Sequence, residues 1–141
     1  MKNTEDFFNE LTNAHSEGSL DRIISDPSVS VDTFDTYFCN VIASRGIKKN
    51  ELVKRVNISR TYIYQLLNGT RIPGRDNALA LCIAGGLNLS ETNRCMALLK
   101  EGSLYPKDVR DAVIIYCINN KLSCNETNAL LYKKDLKPLT E

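Results

Sequence analysis

Arg60, Thr61, Tyr64 and Gln65 are the side chains whose types and spacing suggest a chemistry. At 3.6 residues per turn, these four positions share one side of a helix, opposite Ile63, Leu66 and Leu67. Arginine can donate two parallel hydrogen bonds to guanine O6 and N7, and glutamine can bracket adenine N6 and N7. Threonine and tyrosine add a hydroxyl and an apolar contact to a thymine methyl. Each good contact of this kind contributes roughly 1–3 kcal/mol of base discrimination. Catalytic chemistry has no comparable footing. His15 is the only histidine, it lies near a helix break, and no serine–histidine–carboxylate set, glycine-rich phosphate loop or paired-acid motif accompanies it. We therefore expect a non-enzyme that needs no cofactor.

The four residues need a helix held at a defined angle, and the stretch from Ile47 to Gly69 supplies one. Leu52, Val53 and Val56 form one apolar set and Ile63, Leu66 and Leu67 a second, separated by a bend at Asn57. Ser59 stands where an N-cap belongs, and Asn68-Gly69 ends the second helix. Asparagine at the bend suits left-handed backbone geometry. Helix, tight bend and helix make a helix-turn-helix candidate, in which the N-terminal part of the second helix enters the major groove. Lys49 and Asn50 open the lead helix, where amides and positive charge suit a phosphate. Ser59 at the head of the second helix, and Asn68, Thr70 and Arg71 at its far end, complete the phosphate-contacting set.

Charge is distributed to match. Net charge is +1, yet residues 1–35 hold eight acids and two bases, while residues 41–75 hold eight bases against Glu51 alone. Residues 76–141 balance eight against eight. A basic block coinciding with the helix-turn-helix candidate is the footprint of a phosphate-binding surface.

Around this core the chain reads as helix throughout. Residues 4–14 form a helix with Thr4 as cap, broken at Gly18-Ser19, and a further turn or two follows before Asp26-Pro27; residues 28–31 alternate too briefly for a strand. Helices are expected from Thr33 to Arg45, Lys49 to Val56, Arg60 to Leu67, about Arg75 to Gly85-Gly86, and Leu89 to Gly102. The tail from Asp135 reads as a loose end. The five cysteines lack metal-ligand spacing and sit mostly in apolar runs, so they are expected to be reduced core residues without a metal. No apolar run approaches the roughly 20 residues of a membrane span, and the N-terminus lacks signal-peptide order, so a soluble cytoplasmic chain is expected.

Residues 34–88 resemble the Cro/repressor-type helix-turn-helix domain (the XRE family). The matching features are Glu51-Leu52-Val53, the Ser59, Ile63, Leu66, Asn68-Gly69 frame, Arg71 with Pro73, and the apolar run of the next helix. The bend position, more often glycine in that family, is Asn57 here. The resemblance implies a compact bundle of about five helices that binds double-stranded DNA as a homodimer. It carries the base-reading role onto Arg60, Thr61 and Gln65, with Tyr64 beside them; Tyr62 faces the backbone or packs beside the lead helix.

An internal repeat extends the reading. Eight identities occur over the 19 positions from Arg75 to Asn93 when these are compared with residues 35 further on, including Arg75-Asp76 with Arg110-Asp111 and Glu91-Thr92-Asn93 with Glu126-Thr127-Asn128. The β-branched run 112–118 is therefore expected to be helix, like its counterpart NALALCI. Its extra apolar face suits the intrachain core, the acidic arm or a second subunit. The recurring Arg-Asp pair fits a capping or hairpin-locking role.

The expected fold is all-α: an acidic helical arm (1–32), a five-helix repressor-like domain (33–103), and a C-terminal helical hairpin (104–141). The expected function is a sequence-specific transcriptional regulator. The alternative is a protein-interaction module, such as an antitoxin, a phage-type inhibitor or an adaptor, acting through the arm or the hairpin.

Overall fold

The computed structural model describes residues 4–25 and 32–140. Among the described residues every regular element is a helix, as the sequence pattern predicts. The capping role of the Thr4 side chain, the Asp26-Pro27 stop and the 28–31 stretch lie outside the described residues. The chain forms two compact units, Met1–Val31 and Asp32–Glu141.

The first unit is a pair of short helices, α1 (Thr4–Thr12) and α2 (Glu17–Ile24). The break between them falls at residues 13–16 and not at Gly18-Ser19, which lie inside α2. Ser16 is the reason: its Oγ accepts the Ser19 amide at 3.1 Å and starts a new helix before the glycine is reached. His15 is exposed in this linker.

The second unit contains α3 (Phe34–Ser44), α4 (Lys49–Arg55), α5 (Arg60–Leu67), α6 (Arg75–Ala84), α7 (Leu89–Leu98), α8 (Val109–Asn119) and α9 (Cys124–Lys133). Helix α6 is its axis. Every residue from Ala78 to Ala84 is buried, because the sequence is apolar on all sides and α4, α7 and α9 each pack against it. Phe34 and Phe38 stack with centroids 5.3 Å apart, and α3 packs on α5 and α7. Four cysteines are buried, Cys39 is half-buried, and all five are free thiols. Burial pushes the Cys124 thiol up to about 11 and hydrogen bonding with burial raises Cys82 beside Cys95, so neither ionises readily near neutrality.

The repeat is reproduced in detail. Helices α8 and α9 lie 35 residues after α6 and α7, and each second helix opens with a reciprocal cap, Asn88 with Glu91 and Ser123 with Glu126. Left-handed residues recur in register, Gly86 with Lys121 and Lys100 with Asp135. Lys100 also ends α7 before Gly102, because the Glu101 amide turns back to the Met96 carbonyl at 2.9 Å. The Asn93 side chain accepts the Leu104 amide at 2.9 Å, and Asn128 accepts the Leu139 amide at 2.8 Å. The C-terminal segment is consequently docked, with Leu139 and Thr140 buried, which corrects the expectation of a loose tail. A lone apolar pair in a polar stretch carries no periodicity, so only the repeat could have revealed it.

The two Arg-Asp pairs cross-link the copies. Arg75 holds Asp111 through two bonds of 3.1 and 2.9 Å, and Arg110 reaches Asp76 at 2.9 Å. Arg110 also donates to the carbonyls of Lys137 and Pro138, tying down the tail.

Candidate nucleic-acid interface

Helix α5 is built from a cap and a buried stripe. Ser59 Oγ accepts the Tyr62 amide at 3.2 Å. Ile63 and Leu66 are fully buried and Leu67 nearly so, which fixes the rotation of the helix. The opposite side carries the four residues singled out from the sequence: Arg60 and Thr61 are exposed, and Tyr64 and Gln65 are half-buried. The Arg60 guanidinium lies 5.5 Å from the Tyr64 ring centroid, a cation–π arrangement one turn apart. This stacking limits the rotamers of a long side chain before any ligand arrives.

The far end of α5 is pinned by local bonds. The Asn68 side-chain Oδ1 accepts the Thr70 amide at 2.9 Å, which leaves the carboxamide NH2 as the donor end of that side chain. Gly69 has φ of +82° and carries the turn. The Arg71 amide donates to the Gln65 carbonyl at 3.1 Å, and its guanidinium sits 5.9 Å from the Tyr62 ring. Tyr62 thus packs against the core and serves as a platform for Arg71. The nine-residue separation across a turn has no periodic signature, so the sequence did not reveal that pairing. Asp35 stands beside Gly69 and adds one acid to this end of the helix.

Lys49 and Asn50 are exposed at the head of α4, which packs against α5. Glu51 accepts the Lys48 amide at 3.3 Å, so one of the N-terminal amides expected to face a phosphate is already engaged. The bend between α4 and α5 also departs from expectation. Asn57 does not use left-handed geometry; Val56 is extended (φ −125°, ψ 152°) and buried, and Ser59 is extended too. Four residues span the bend without any positive φ, which removes the need for glycine at that point.

The basic block divides into two groups. Arg45 donates from one guanidinium nitrogen to both Glu91 carboxylate oxygens at 2.7 and 2.8 Å, Arg75 holds Asp111, and Arg55 caps α6 through the Ala84 carbonyl at 3.0 Å. These three serve the fold. Lys48, Lys49, Lys54, Arg60 and Arg71 make no ion pair among the described residues. Lys48 and Lys54 are exposed cations that residue-type reasoning left off the site, although their place in the basic block was visible. Among the described residues no group of three or more histidine, cysteine or acidic side chains could hold a metal. No described helix is long and apolar enough to cross a membrane.

The helix-turn-helix family model matches residues 41–91, from the last turn of α3 to the first turn of α7. No curated protein and no solved structure matches the chain. Two helices joined by a tight bend, a capped second helix with a polar outer side, and the family match all fall on one segment, so residues 41–91 form a helix-turn-helix segment similar to the DNA-binding domains of the Cro/repressor (XRE) family.

Proposed function

We propose that the chain is a sequence-specific transcriptional regulator that reads the major groove of double-stranded DNA with α5. The observation that carries this reading is the split of α5 into a fully buried stripe and an outer side bearing Arg60, Thr61, Tyr64 and Gln65. In this reading Arg60, Thr61 and Gln65 contact base edges, and Tyr64 holds Arg60 and adds an apolar edge. Lys49, Asn50, Ser59, Asn68, Thr70 and Arg71 contact phosphates and set register without carrying sequence information. Residues 1–32, 33–103 and 104–141 act as arm, reading domain and hairpin of a cytoplasmic, non-enzymatic protein. One such domain covers a half-site, so a homodimer reads two of them.

Selection from a randomised duplex pool at low and near-physiological salt tests this. A palindromic site enriched at the higher salt supports direct readout by a dimer. Binding that collapses with salt and enriches nothing means phosphate attraction alone and overturns the proposal.

The protein-interaction alternative is favoured by one observation at a different place, the apolar groove on the second repeat. It does not compete with α5 for residues.

A further inference from the structure

Each position of the second repeat can be compared with its counterpart in the first. In the first copy Ala78, Leu81, Leu87 and Cys95 are buried, and α3 lies over this side. Tyr37 sits under the Arg94 guanidinium at 5.7 Å, Ile42 lies against Gly85, and Arg45 pairs with Glu91. The counterparts in the second copy, Val113, Tyr116, Leu122 and Leu130, line an open groove of about 1040 Å³ between α8 and α9. Tyr116 is 55% exposed and Val109 at its edge is 69% exposed. Helix α3 is already seated on the first copy, and among the described residues of this unit no second helix takes the equivalent seat.

The edge of the groove says what differs about its occupant. Where the first copy has Ile72, Leu98 and Leu99, the second has Lys107, Lys133 and Lys134. These lysines make no ion pair among the described residues. Glu126 is the acid of the groove, and its carboxylate accepts the Ser123 amide at 3.0 Å.

We propose that the α8–α9 groove is a docking site for one amphipathic helix of a protein partner, its apolar stripe on Val113, Tyr116 and Leu130 and its acidic side chains toward Lys107, Lys133 and Lys134. The internal repeat supplies the shape, because the same trough in the first copy holds a helix. Charge complementarity supplies the acidic edge. A second copy of this chain fits less well, since a trough facing a trough leaves the middle unfilled. The apolar floor disfavours nucleic acid.

The probe is a labelled peptide of residues 33–46, the helix that fills the first trough, carrying Cys39→Ser. In one version Thr36, Asn40 and Ala43 are changed to Glu, and in the other to Lys. Anisotropy titration with the full chain is expected to show saturable binding of the acidic version, at least tenfold tighter than the lysine version. Ala129→Glu on the exposed side of α9 weakens it at least tenfold. The paired substitution Lys133→Glu, Lys134→Glu reverses the order of the two peptides while affinity for duplex DNA stays unchanged, which separates this test from the reading role of α5. Equal binding of both versions, binding of neither, or displacement of the acidic peptide by duplex DNA would overturn the proposal. A concentration-dependent dimer broken by Ala129→Glu, without peptide binding, would assign the groove to a second copy instead.

Discussion

Gly69 shows how much a single position at the end of α5 decides. Its φ of +82° is left-handed, and a Cβ there would lie 2.9 Å from Asp35 Oδ2. Gly69→Ala is expected to cost about 1–2 kcal/mol from backbone strain, read as a lower urea midpoint. Adding Asp35→Ala should recover only the part due to contact. Lys121 is the converse case, a lysine at φ of 55° where the first repeat has Gly86. Both positions make the same turn, Leu87 N–H to the Cys82 carbonyl and Leu122 N–H to the Cys117 carbonyl, each at 3.0 Å. Lys121→Gly should therefore stabilise the chain by about 0.5–1 kcal/mol, the relief of strain less the entropy of glycine. A melting temperature that falls would show that the lysine makes a compensating interaction. At Asn57 residue type alone misled, because asparagine tolerates left-handed geometry without requiring it.

At the scale of elements, the crossed ion pairs between α6 and α8 have a pH signature. Burial acts to raise the Asp111 carboxyl, but the Arg75 bonds, the Tyr105 amide and the Arg110 charge outweigh it and hold it below the ordinary value. A lowered folded pKa contributes stability above the unfolded value, near 3.8, and that stability is lost as pH falls through the folded value. Asp111→Asn should cost about 2 kcal/mol at pH 7, because Arg75 loses its partner at a site only 10–25% exposed. It should also flatten the stability curve below pH 4. An unchanged acid limb would mean that another carboxylate controls it. Helix existence and type were legible because buried stripes impose a 3.6-residue period, and the β-branched 112–118 run was resolved as helix by its repeat partner. The α1–α2 break and the docked tail were not, because the first depends on the Ser16 cap and the second on Asn128 and Arg110, single side chains that leave no periodic trace.

For the whole molecule, the charge map is what links fold to function. The sequence shows a basic block over the helix-turn-helix, but only the folded chain separates the arginines spent on Glu91, Asp111 and the Ala84 carbonyl from the cations of the block that make no ion pair among the described residues. The two sides of α5 were legible because one helix both buries Ile63, Leu66 and Leu67 and presents Arg60, Thr61, Tyr64 and Gln65, the residues proposed to read bases, on its other side. The partner groove was half legible: the repeat was visible, while the empty seat on its second copy needed the packing of α3 on the first.

Base reading by α5 is tested by parallel duplex selection with the wild-type chain and with the Arg60→Ala, Gln65→Ala double variant, alongside their melting temperatures. The account predicts an enriched site for wild type at near-physiological salt, and for the variant a flat pool with unchanged melting and residual salt-sensitive binding. The same enriched site from both chains, or a variant that fails to fold, would contradict it.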